Sequence, residues 1–99
     1  MRIISRKTLV SFWSQPQHQD AELPLRAWWV LARKADWASP HDIKGQFASA
    51  SVIAGNRMVF DIGGNKYRLI VKFNYAYRTG YIRFVGTHEA YDQVDAETI

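Results

Sequence analysis

Ahead of Ser51 the apolar residues of this chain recur three and four positions apart; from Arg57 to Gly86 they recur at every second position. The first spacing marks one face of a helix and the second one face of a strand. "RII" (Arg2–Ile4) suits a short first strand. Ser5 can cap a helix over about residues 6–14, with Leu9, Phe12 and Trp13 on one side and Pro16 as its stop. Asp20 is placed to cap a second helix reaching about Ala35, with Leu25, Trp28, Trp29 and Ala32 as its stripe. Pro24 lies within the first turn of that helix, where its missing N–H has no intrahelical partner to lose. "SPHD" (Ser39–Asp42) offers an N-cap, a proline in first position and an acid in third, for a short helical turn that buries Ile43 and Phe47.

Beyond Ser51 the runs "RMVFDI" (Arg57–Ile62), "KYRLIVKFNY" (Lys66–Tyr75) and "YIRFVG" (Tyr81–Gly86) are rich in β-branched and aromatic residues. "GGN" (Gly63–Asn65) and "AYRTG" (Ala76–Gly80) between them are hairpin connectors. The pattern predicts an α+β fold over residues 1–99 as a single domain: a twisted antiparallel sheet of three to four strands with two or three helices on one face.

Alternation divides the middle strand. Tyr67, Leu69, Val71, Phe73 and Tyr75 point one way and should meet the helices, whereas Lys66, Arg68, Ile70, Lys72 and Asn74 point the other. On the last strand Ile82 and Phe84 alternate with Tyr81, Arg83 and Val85, so Arg83 is expected beside Arg68 and Lys66 on the uncovered face. A cationic, aromatic-flanked surface of that kind suits phosphates. A merely solvated sheet face shows the same alternation, but here the acids avoid the strand and gather at Asp92, Asp95 and Glu97 and in the helical half.

Composition narrows the classes. The 99 residues are 47% hydrophobic and carry a formal charge of +4, enough for one core with a moderate cationic excess. There is no cysteine, which excludes a disulfide framework, a thiolate nucleophile and a cysteine metal site, and suits a reducing cytoplasm. "MRIISRKTLV" is too polar for a secretory signal, and "AWWVLA" (Ala27–Ala32) falls far short of the roughly 20 residues a membrane span needs. A cytoplasmic location with no membrane contact is expected. His18, His41 and His88 lie in different elements, and no metal cluster or cofactor is expected.

The remaining chemistry is in "FVGTHEAYD" (Phe84–Asp92). Thr87 can cap a short helix over about residues 88–94, and His88 and Tyr91, three apart, then share one side of it. Two groups able to carry protons sit where the last strand ends, although a terminal helix also needs aromatic anchors. The pairs Trp28 and Trp29, and Tyr75 and Tyr77, are expected to pack in the core or at the hairpin.

"FDIGGNKYRLIVKFNY" followed by "YIRFVGTHEAYD", with "PLRAWW", "ADW" and "IKGQFASASVI" ahead of them, resembles the HigB family of type II toxins within the RelE/ParE superfamily. The likeness covers nearly the whole chain. It implies a RelE-like fold and an mRNA interferase, an endoribonuclease that enters the ribosomal A site and cuts mRNA without a metal. It also implies a HigA-like helix-turn-helix antitoxin as partner, with operator DNA met only through the toxin–antitoxin complex. Carried onto this chain, the resemblance makes Arg68 the cation on the scissile phosphate, and His88 and Tyr91 the acid–base pair or, for Tyr91, a stacking platform. Lys66, Lys72, Arg83 and Arg57 would contact RNA or ribosome. RelE itself has basic residues near the position of His88 and its tyrosine a few residues later, so these two roles follow the HigB-like pattern. A ParE-like relative that poisons gyrase, or a non-catalytic RNA or ribosome binder, would use the same fold.

Overall fold

The computed structural model describes all 99 residues. Strand β1 (Arg2–Ile4) leads into helix α1 (Arg6–Trp13), a 3₁₀ segment (Pro16–Ala21), helix α2 (Glu22–Lys34) and helix α3 (Pro40–Gln46). Strands β2 (Ser51–Ile53), β3 (Arg57–Ile62), β4 (Tyr67–Asn74) and β5 (Thr79–Thr87) follow, and helix α4 (His88–Tyr91) closes the last strand. The strands form one five-stranded sheet in the order β1-β5-β4-β3-β2, with β1 parallel to β5 and the other pairs antiparallel. The α+β class and the meander are as expected. The sheet is larger than expected and mixed, because β1 returns to the edge beside β5 and the short hairpin at Gly55 and Asn56, both at positive φ, adds β2.

One face of the sheet carries the main core. Leu9, Phe12 and Trp13 of α1 and Leu25, Trp28 and Ala32 of α2 pack with Met58, Phe60 and Ile62 of β3 and Tyr67, Leu69, Val71 and Phe73 of β4. Each such side chain, taken out of water, contributes roughly 1.5–3 kcal/mol. Phe60 is the hub, with Trp28 and Phe47 edge-on at 5.3 Å from its centroid.

Helix starts differ from the sequence expectation in an informative way. α2 begins at Glu22 with Ala21 as N-cap, and Asp20 lies in the 3₁₀ segment, where its carboxylate takes Lys66 and the Tyr67 hydroxyl. A cross-chain pair of charge-assisted bonds has displaced a local cap. At α3 Ser39 has the N-cap position but no side-chain cap bond; Asp42 Oδ2 instead accepts from the Ala38 N–H at 2.9 Å.

The last strand corrects the predicted alternation. Ile70 faces Phe84 and Val71 faces Ile82, so Arg83 is an extra residue, a β-bulge. Ile82 and Val85 consequently both pack on the main core, and Phe84 turns to the opposite face. That opposite face is also less open than alternation implied. Val59 and Ile70 are 5% and 0% exposed yet stand outside the main core cluster. The segment after α4 folds back over this face: both Arg57 Nε and Arg83 Nε donate to the Ile99 carbonyl, at 3.0 and 3.3 Å.

Candidate active site

Arg68 stands on β4, on the face away from the helices, with Asp61 of β3 opposite it on one side and Gly86 of β5 on the other. The turn before it, with Gly63 and Gly64 both at positive φ, brings Asn65 back onto the guanidinium. Nη2 donates to Asn65 Oδ1 at 2.5 Å, and Nη1 donates to the Asn65 and Tyr67 carbonyls at 3.2 and 3.4 Å. Nε forms an ion pair with Asp61 Oδ1 at 3.2 Å, and the side chain is only 11% exposed. Two donors of the guanidinium, the Nε–H beside the Asp61 carboxylate and one N–H on Nη2, make no hydrogen bond. The group is held before any substrate arrives.

Tyr91 lies against it. The Arg68 Cζ is 5.9 Å from the Tyr91 ring centroid, and the Phe84 ring, turned to this face by the bulge, is 6.4 Å from Tyr91. Two hydrogen bonds set the position of α4. Thr87 Oγ1 accepts from the Ala90 N–H at 3.0 Å as the N-cap, and the His88 N–H donates to the Lys66 carbonyl at 3.1 Å. The cap at Thr87 is as expected; α4 itself is shorter than predicted and ends at Tyr91. Gly86 makes the arrangement possible, since a Cβ there would lie 2.6 Å from Phe84 Cζ.

His88 is exposed at the rim, in a recess of about 270 Å³ lined by Asn65, Lys66, Thr87 and Glu89. Asn65 belongs to both halves of the site: it lines the recess of His88 and binds the guanidinium of Arg68. Guanidinium and phenol are thus in contact, whereas the His88 imidazole makes no hydrogen bond or ring contact with either and shares only Asn65 with Arg68. Asp61 and Asn65 are functional neighbours that the sequence reading missed. The signal was present in the hairpin register, because a turn around "GGN" that sets Ile62 against Tyr67 must set Asp61 against Arg68.

The flanking cations divide. Lys66 precedes β4, so strand alternation does not govern it; its ammonium turns to Asp20 at the helical edge. The Lys66 ammonium and then the Tyr67 hydroxyl, donating to Asp20, hold that carboxyl below the usual carboxylate range, and the same contact raises Lys66. Burial, then the bond to Asp20, pushes the Tyr67 phenol up. Arg57 is 8% exposed and bonded to the Ile99 and Gly55 carbonyls, which withdraws it from any surface contact. Its expected place as a contact to RNA or ribosome is corrected on that ground. Lys72 and Arg83 are exposed and make no ion pair, Arg83 from the bulge and not from a regular position beside Arg68.

Other aromatic residues resolve into packing. His18 stacks on Phe12 at 4.2 Å, and Trp28 is 2% exposed. Trp29 lies under the Arg6 and Arg33 guanidiniums at 5.2 and 4.9 Å. Tyr75 stacks on Phe73 at 5.7 Å, but Tyr77 is 80% exposed on the hairpin and packs on nothing.

A family described as the RelE-like toxic component of a toxin–antitoxin system matches residues 21–94, the span from α2 through the site to just past α4. The chain belongs to the HigB toxin family. A search of curated proteins finds no match to it. Family membership makes this HigB-family chain the toxin of a toxin–antitoxin pair, with an antitoxin as its partner. Arg68, Asp61, Asn65, Thr87, His88 and Tyr91 all lie inside the matched span. No helix of this toxin is long and apolar enough to cross a membrane.

Proposed function

We propose that this toxin is a ribosome-dependent endoribonuclease that enters the A site and cuts mRNA by metal-independent acid–base chemistry. The observation that carries the reading is the held guanidinium of Arg68, 5.9 Å from the Tyr91 ring and bonded by Asn65, which also lines the recess of His88. In the reaction the ribose 2′-oxygen attacks the adjacent phosphorus and the bond to the 5′-oxygen breaks. The 2′-hydroxyl proton goes to a base, the leaving 5′-oxygen takes a proton from an acid, and a 2′,3′-cyclic phosphate results. His88 and Tyr91 are the proton-carrying pair, each contributing about 10²- to 10⁴-fold. Arg68 meets the charge that builds on the phosphoryl oxygens.

Lys72 and Arg83, free of acidic side-chain partners, are the cations offered to flanking phosphates of RNA or ribosome, with Lys66 at the rim already paired to Asp20. A HigA-like helix-turn-helix protein is the proposed antitoxin, operator DNA being reached only through that complex, in the cytoplasm. The test is induction in growing bacteria, with new mRNA 5′ ends mapped with and without translation. The reading expects cuts in translated messages only, abolished by His88→Ala. Growth arrest over intact transcripts would replace it with a ParE-like or a binding toxin.

A further inference from the structure

A second concavity lies on the same sheet at the other end of β4. A groove of about 670 Å³ runs between the Asn56 turn, the end of β4 and the start of β5. Lys72 and Tyr81 face each other across β4 and β5 on the side away from the helices, and Arg83 follows at the bulge. Lys72 is four residues along the strand from Arg68, about 13 Å at 3.3 Å per residue. This is therefore a separate place and not an extension of the recess at His88.

The groove brings together groups of one chemical character. Lys72 makes neither a hydrogen bond nor an ion pair, and no acid lines the groove. Arg83 spends Nε on the Ile99 carbonyl and leaves both terminal nitrogens without partners. Tyr81 holds a large ring 40% exposed on the sheet surface between these cations. Two amides complete the lining. Asn74 Oδ1 accepts from the Tyr77 N–H, which leaves its NH₂ to donate, and the Asn56 side chain makes no hydrogen bond. An aromatic face, two cations without acidic side-chain partners and unspent amide groups fit a ligand with a flat ring, an anion and polar edges.

We infer that this groove binds one nucleotide of single-stranded RNA, with its base on Tyr81 and its phosphate between Lys72 and Arg83, away from the bond cut at Arg68. The inference rests on the RNA reading of the site above and adds to it a second, non-reacting contact. Binding energy from a remote contact orients the strand at the reacting centre.

The test is a titration of the isotope-labelled toxin, followed by NMR, with uridine and adenosine 5′-monophosphates, inorganic phosphate and a 2′-O-methyl hexanucleotide that cannot be cut. The expected result is that both monophosphates shift the amides of Lys72, Tyr81 and Arg83, and that the hexanucleotide binds more tightly and also shifts His88. Tyr81→Ala should weaken the monophosphates about 5- to 150-fold, the value of one base–aromatic stack. Lys72→Ala should weaken phosphate and nucleotides alike, read at the amides of Tyr81 and Arg83. The groove site is overturned if Tyr81→Ala leaves monophosphate affinity within about twofold, far short of one stack, or if shifts fall elsewhere. Phosphate binding as tightly as the nucleotides would reduce it to an anion site, and monophosphate binding as tightly as the hexanucleotide would make it a free-nucleotide site; either sinks the proposal. Absence of mRNA cleavage together with intact groove binding would instead refute the nuclease reading alone.

Discussion

Replacing Arg68 by lysine keeps the positive charge and discards the fork. The native guanidinium makes three hydrogen bonds to Asn65 and Tyr67 and an ion pair to Asp61, all within one plane of donors. An ammonium on a flexible stem cannot reproduce that set, so lysine should sit in several orientations where arginine sits in one. Losing a single preorganised donor from the charge that develops in a transition state costs about 10²- to 10³-fold. Arg68→Lys should therefore lose at least about 10²-fold in single-turnover mRNA cleavage on programmed ribosomes.

Stability must be followed separately. Arg68→Ala leaves the Asp61 carboxylate, 31% exposed, without its cation. The cost is about 1–3 kcal/mol, which lowers the urea midpoint by about 1 M for a domain of this size. Asp61→Asn keeps an oxygen beside Nε and should retain activity within about tenfold, whereas Asp61→Leu should behave like Arg68→Lys. A lysine variant that cleaves within about tenfold of the native toxin would refute the reasoning, because charge alone would then suffice.

Gly86→Ala places a Cβ 2.6 Å from Phe84 Cζ; it should destabilise by about 1–3 kcal/mol and lower cleavage by displacing Tyr91, read by urea unfolding and the rate assay together. Thr87→Ala removes the α4 cap and should cost about 0.5–2 kcal/mol, with faster amide exchange at Ala90. The depressed Asp20 carboxyl stabilises the fold above its unfolded range and loses that stabilisation as pH falls through its lowered value. The native protein should thus be more stable than Asp20→Asn at neutral pH, and urea midpoints of the two should converge below about pH 4. Leu25→Ala, at a fully buried position of the main core, should cost about 2–5 kcal/mol in the same assay.

Local chemistry made much of this protein legible in one dimension. The period of apolar residues located α1, α2 and the β3–β4–β5 meander, because a side chain's direction follows from its own backbone geometry. Thr87 as a cap and Arg68 on the face away from the helices were readable for the same reason. Features that depend on two distant segments were not. Asp20 reads as a helix cap until Lys66 and Tyr67, far along the chain, claim its carboxylate. Arg57 reads as a surface cation until the chain returns to put the Ile99 main-chain oxygen against it. The bulge at Arg83, which reverses Phe84, is a mismatch between two strands and leaves no mark on either one alone. Sequence by itself determined which faces each element would have and which side chains could do chemistry. Only the tertiary structure decided which donors stay free, because a hydrogen bond is settled by whichever partner the fold brings within reach.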